Sequence, residues 1–139
     1  MAGTKMKRLI TTTLLLFCVY VGFPLSANAA TCLKIENIKG QAAYSHEGYK
    51  MGKDEFKGSI TFCYEGDYGK FDNNDGIFQR FGSNTWIWFE AIDETEVAEV
   101  WTFDFANRKA LFARTRGAGS LLPSSVGAFV GAITGTEIQ

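Results

Sequence analysis

The regular alternation of side chains between residues 85 and 116 constrains the fold more than any other feature of this sequence. Three consecutive segments, 85–92, 97–105 and 110–116, alternate aromatic or charged residues with smaller aliphatic ones. A period of two residues is typical of β-strands, which point successive side chains to opposite faces of a sheet. Short polar segments between them suit tight turns. We therefore predict an antiparallel sheet here.

The same pattern extends over most of the chain after residue 30. Leu33, Ile35 and Ile38 suggest a first strand over 32–39, residues 59–64 alternate regularly, and residues 77–81 are rich in aromatic and β-branched residues, which favour strands. Seven to eight short strands with turns between them predict an all-β fold, a small antiparallel barrel or sandwich. Residues 30–139 are predicted to form this single domain. Within it, residues 40–57 are read as a long loop or a weak hairpin.

The last segment of the chain has two readings. As a strand, it places Gly127, Gly131 and Gly135 on one face, where missing side chains leave room for large aromatic residues from neighbouring strands. As a short helix near the C-terminus, it would be capped by Ser124 or Ser125. The strand is the favoured reading, and the helix is kept as an alternative.

The first 29 residues have the three parts of a secretory signal peptide. Basic residues at 5, 7 and 8 precede an apolar stretch over 9–21, and small residues at 27–29 supply a cleavage site. We expect cleavage after Ala29 and a secreted or periplasmic protein with no stable membrane span. An uncleaved N-terminal anchor is the alternative, because residues 9–30 are almost long enough to cross a bilayer.

Removal of this leader makes the protein acidic. The remaining chain has 11 basic and 15 acidic residues, a net charge of −4. It also lacks a basic stripe interleaved with aromatic residues, so nucleic acid is not expected as a partner.

Two cysteines, Cys32 and Cys63, remain after cleavage. In an exported domain, two cysteines most simply form one disulfide, with two free thiols as the alternative. The only other soft metal ligand is His46, so no metal site is predicted. No cofactor is predicted either.

Pairing the three alternating segments brings aromatic and charged residues together. A two-residue turn at Glu94–Thr95 sets Trp88 opposite Trp101, and a turn at Asn107–Arg108 sets Trp101 opposite Arg114. Cross-strand partners lie side by side on one face of a sheet. The opposite face carries aliphatic residues and is expected to be an ordinary core. We predict that the first face binds a ligand through Trp86, Trp88, Glu90, Glu99, Trp101, Phe103, Phe112, Arg114 and Arg116.

Several functions are compatible with this face. The favoured one is a non-enzymatic binding protein that holds a small apolar, aromatic or sugar-like molecule. Plain sheet packing would explain the same aromatic pairs without a ligand. A protein-interaction or inhibitor-type envelope module, binding another exported protein through loops 40–57 and 117–125, is the alternative function.

An enzyme is the least favoured reading, and no catalytic residue is assigned. In the register above, Glu90 and Glu99 are cross-strand neighbours. Two carboxylates about 5 Å apart would fit a small retaining glycosidase.

Overall fold

The computed structural model describes residues 29–92, 94–117 and 123–139. The predicted signal peptide over residues 1–29 therefore lies outside the described part of the chain, apart from Ala29.

The described residues form eight antiparallel strands that close into a barrel. Each strand pairs with the next one in sequence, and the last strand pairs with the first over almost its whole length. The all-β prediction is confirmed, and the barrel is the correct choice over the sandwich. The elements are β1 Thr31–Tyr44, a 3-10 turn Ser45–Glu47, β2 Gly52–Glu65, β3 Tyr68–Phe71, β4 Ile77–Arg80, β5 Thr85–Ile92, β6 Thr95–Asp104, β7 Lys109–Arg116 and β8 Ser125–Ile138.

Two segments differ from their sequence reading. Residues 40–57 are largely strand, because β1 and β2 extend to the short connection over 45–51 and form a long hairpin. The four-residue strand β3 is not predicted, since its brevity and its central Gly69 hide the alternation. The final segment is the strand β8, as favoured, and the alternative helix is wrong.

The glycines of β8 serve a slightly different purpose from the one predicted. Gly127 and Gly131 are buried and point inward. A Cβ on Gly131 would collide with Ile35 and Ile38, whereas one on Gly127 would collide with the ring of Phe129 in the same strand. The missing side chains therefore make room for isoleucines and for Phe129, not for aromatic residues of neighbouring strands.

The barrel interior is packed with aromatic rings. Phe62 on β2 is fully buried at the centre of this packing, and its ring contacts the rings of Phe71, Phe78, Trp86 and Phe103 with centroids 4.7 to 6.0 Å apart. The expectation that the aliphatic face of β5–β7 is the core is wrong. A closed barrel has one interior, and the bulky aromatic residues occupy it, so the aliphatic residues face outward.

The strand order gives the barrel two distinct ends. The terminal end carries both ends of the described domain and the connections over 66–67, 81–84 and 105–108. The distal end carries the connections β1–β2, β3–β4, β5–β6 and β7–β8.

The predicted Cys32–Cys63 disulfide is confirmed. The two residues are direct cross-strand partners on β1 and β2, with their Cα atoms 4.0 Å apart. Their inward-facing neighbours are Leu33 and Phe62, so the disulfide lies on the outer side of the barrel near the terminal end. A disulfide fits a protein of an oxidising compartment.

Candidate functional site

The strand register differs from the predicted one by two residues. Trp101 lies opposite Trp86 on one side and opposite Phe112 on the other, while Arg114 lies opposite Glu99. The β5–β6 turn begins one residue earlier than predicted, and the β6–β7 turn spans four residues instead of two. A shift of two residues leaves every side chain on its predicted face, whereas a shift of one would have reversed all of them.

The predicted ligand-binding residues on that face all belong to the inward-facing rows of β5, β6 and β7, but they lie at different depths. Trp86 and Phe103 are fully buried toward the terminal end, and their rings are 5.3 Å apart. The Arg80 guanidinium lies 4.7 Å from the Trp86 ring and covers it. These two aromatic residues are part of the packed core.

Among the predicted ligand-binding residues, Glu99 is both charged and buried. Its side chain is near the distal end, and only 8% of the residue is exposed. One carboxylate oxygen lies 3.7 Å from the Arg114 guanidinium, and the other accepts a long hydrogen bond of 3.5 Å from the Trp101 indole nitrogen. Burial raises the pKa of Glu99, and the nearby Arg114 and Trp101 offset only part of this rise.

Arg114 and Arg116 line the same end of the barrel. The Arg114 guanidinium lies 5.8 Å from the ring of Phe56 and 5.7 Å from the ring of Phe112. Arg116 donates a hydrogen bond of 3.1 Å to the carbonyl of Pro123, and burial together with Arg114 lowers its pKa. Two half-buried guanidinium groups therefore lie near the one buried carboxylate of this face.

A second polar contact borders this group. The Tyr44 hydroxyl donates a hydrogen bond of 2.6 Å to Asp54, and this bond raises the pKa of Tyr44. Arg114 and Arg116 are close enough to oppose that rise electrostatically. The hydroxyl and carboxylate thus form the polar side of the distal end.

A small cavity of about 70 Å³ opens beside Glu99. Glu99 supplies its charged group, and four of its nine lining residues are aromatic. An ordered water occupies about 30 Å³ in the liquid, so this space holds a few heavy atoms and no drug-sized molecule. The cavity is lined by Ile38, Phe56, Ile60, Phe71, Asn73, Asn74, Glu99, Trp101 and Phe112.

Two thirds of the cavity lining was missed from sequence, because six of its nine residues come from β1, β2, β3 and the β3–β4 connection. Phe56 falls in the segment read as a long loop or a weak hairpin. The sequence around Asn73 and Asn74 favours a turn, with a calcium-binding loop as the less favoured reading. Asn74 does have a turn role, since its side chain accepts a hydrogen bond of 2.7 Å from the Gly76 amide. Only closure of the barrel brings these residues opposite Glu99, and no local pattern signals that.

Glu90 and Trp88 do not join this site. Trp88, and not Glu90, lies opposite Glu99, whereas Glu90 lies opposite Val97 and is exposed. The predicted cross-strand pair of Glu90 and Glu99 is therefore wrong, because the observed register differs from the predicted one by two residues. Trp88 is half-buried and packs on Phe78 and against the backbone of Gly76. The glycosidase reading loses the geometry on which it depended.

The loops assigned to the alternative function are only partly described. The β1–β2 connection is short, and residues 118–122 of the β7–β8 connection lie outside the described residues. Comparisons with family models, curated proteins and solved structures return no match for this chain. Within the described ranges, no helix is long and apolar enough to cross a membrane.

Proposed function

We propose that this protein is an exported, non-enzymatic binding protein that holds a small molecule inside the distal end of the barrel. The observation that supports this most is the buried Glu99, paired loosely with Arg114 beside a cavity. Burying a charged pair costs several kcal/mol unless its geometry is excellent. A perturbed carboxyl group in a cleft is a typical sign of a functional site.

The lining residues, together with Arg114 next to Glu99, favour a small planar ligand with one polar group. Rings of Phe56, Trp101 and Phe112 offer flat apolar contacts to such a molecule. Arg114 has five N–H donors in a planar fork, and its long contact with Glu99 leaves donors for a ligand carboxylate or carbonyl. An aromatic carboxylic acid satisfies both requirements, and the sugar-like ligand is the poorer fit.

Entry of a ligand requires a side chain at the rim to move. The cavity is too small for a benzene ring with its substituent. Phe56 is a wall of the cavity that reaches solvent, with 38% of it exposed. Its packing partners, Phe112 and Phe129, lie at edge-on angles with centroids 6.1 and 5.1 Å away. Rotation of Phe56 outward enlarges the cavity without disturbing the core around Phe62.

Thermal denaturation with benzoate and with glucose tests this proposal. We expect benzoate to raise the melting temperature of the wild-type protein in a saturable manner, because it binds the folded state only. The increase should disappear in Arg114→Leu and persist in Lys109→Leu, which changes an exposed residue on the outer side of the same strand. No increase with benzoate, or an equal increase in both variants, would contradict the site. An increase with glucose alone would reassign the ligand class.

A further inference from the structure

The charged side chains that face one another at the distal end balance before any ligand binds. Glu99 lies 3.7 Å from the Arg114 guanidinium, and Asp54 accepts the hydrogen bond from Tyr44. Arg116 donates to a backbone carbonyl. Two carboxylates and two guanidinium groups therefore sum to zero. A ligand carboxylate that enters this group brings a negative charge with no cation of its own.

The ionised form of Glu99 is poorly stabilised by its neighbours. A carboxylate that accepts charge-assisted hydrogen bonds normally does so at about 2.7–2.9 Å. The contacts of Glu99 are longer, at 3.7 Å to Arg114 and 3.5 Å to the Trp101 indole nitrogen. Because the residue is buried, water supplies little in their place. Glu99 is therefore the group of this cluster that is readiest to accept a proton.

The other elements that pack around Glu99 present uncharged side chains to it. Trp88 on β5 is its cross-strand neighbour, and Glu99 is the one titratable residue among those that line the cavity. The acidic residues of β5 and of the β3–β4 connection are exposed, namely Glu90, Asp72 and Asp75. Arg114 on β7 is thus the charged group that acts on Glu99 across the strands.

We propose that the distal site binds a carboxylate ligand together with one proton, which Glu99 takes up from solvent. This inference rests on the proposed function. Two carboxylates beside one guanidinium repel each other, so one of them is driven to its neutral form. A protonated Glu99 also gains an O–H donor. Glu99 and Arg114 then both donate to the ligand carboxylate, and Glu99 becomes a specificity-determining residue for ligands that accept two hydrogen bonds.

Uptake of a proton makes the affinity for the ligand depend on pH. Where Glu99 of the free protein is ionised, each ligand binds with one proton, so the Kd rises about 10-fold for each pH unit. At lower pH, Glu99 of the free protein already carries the proton, and the Kd becomes constant. The site therefore takes up its ligand in mild acid and releases it as the pH rises.

Isothermal titration calorimetry with benzoate between pH 5 and 8 tests this inference on the processed, disulfide-bonded protein. Titrations in two buffers of different ionisation enthalpy give the number of protons taken up. We expect the wild type to approach one proton per benzoate at the upper end of this range. Glu99→Gln should abolish the uptake and make the Kd independent of pH. At pH 8 it should bind benzoate at least about 10-fold more tightly than the wild type does.

His46 provides the matched control, because it is a second group at the distal end that could take up the proton. It lies on the 3-10 turn, its ring centroid is 5.6 Å from that of Tyr44, and histidine changes charge between pH 5 and 8. His46→Gln should keep the proton uptake and the pH dependence of the wild type. Uptake that is lost in His46→Gln and kept in Glu99→Gln would overturn the assignment to Glu99.

The remaining outcomes separate this inference from the proposed function. Binding of benzoate to the wild type with a constant Kd and no proton uptake would overturn the inference and leave the binding site standing. No binding of benzoate at any pH in this range would overturn both. Since the proton count is measured on the wild type, the test does not depend on the folding of a variant.

Discussion

The two ends of the barrel interior are built from the same faces of the same strands, yet they differ in chemistry. At the terminal end, Trp86, Phe103 and Phe62 pack ring against ring and leave no room for a ligand. At the distal end, Glu99, Phe56 and Asn73 line a small cavity, and Phe56 and Asn73 are exposed to solvent. Alternation along a strand determines which face a residue occupies, but depth within the barrel determines whether it lies in the packed core or beside the cavity.

The largest difference between the two ends should appear when one phenylalanine is removed from each. Phe62→Ala deletes a fully buried ring, which should lower the free energy of unfolding by about 3–5 kcal/mol. Phe56→Ala deletes a ring that is partly exposed at the rim, so we expect a loss of about 1 kcal/mol. Urea denaturation of both variants measures these changes. Similar losses would show that the distal end is packed as tightly as the terminal end.

Arg114→Leu sharpens the comparison, because it removes the guanidinium group that pairs with Glu99 at the distal end. The substitution keeps apolar contact with Phe112 but leaves the Glu99 carboxylate buried without its partner. We expect the free energy of unfolding to fall by about 2–4 kcal/mol at neutral pH. The decrease should be smaller in acid, where Glu99 is protonated and needs no cation. A change below about 0.5 kcal/mol, as for an exposed residue, would mean that this end is solvated surface.

Glu99→Gln should have the smallest effect, and its sign should depend on pH. The folded-state pKa of Glu99 is raised above its usual value of 4.5 by burial. The folded protein therefore holds this proton more tightly than the unfolded chain. Its contribution to stability is complete below about pH 4.5 and is lost as the pH rises through the folded-state pKa.

The stability of Glu99→Gln should thus improve relative to the wild type as the pH increases above 4.5, by about 1 kcal/mol or more. Thermal denaturation over pH 4 to 8 measures the difference, with Glu90→Gln as the exposed control on the neighbouring strand. A difference that is constant over this range would contradict the assigned burial of the carboxylate.

The sequence predicts well which face of the sheet a residue occupies, but it predicts poorly how far apart two residues on that face lie. The alternation around Trp86, Trp101 and Phe112 was sufficient to place them together, because a two-residue error in register preserves the face. The same error separated Glu90 from Glu99, since a catalytic pair depends on distance. Which face became the interior also required knowledge of barrel closure, and the aromatic residues took the inside because eight strands enclose space for large side chains.

Residues contributed by other strands could not be predicted. Phe56 and Asn73 lie far from β6 in sequence and meet Glu99 only across the closed barrel. Local patterns carry information on neighbouring strands in a hairpin, and none on strands that face each other through the core.

The central claim is that a ligand binds at the distal end and not elsewhere on the aromatic face. A titration with benzoate, monitored by NMR spectroscopy, tests this claim most directly. We expect saturable shifts of the Trp101 indole N–H, the Arg114 guanidinium and the Phe56 ring, with the Trp86 indole N–H unchanged. Shifts centred on Trp86 and Phe103, or no saturable shift at any of these groups, would contradict the account.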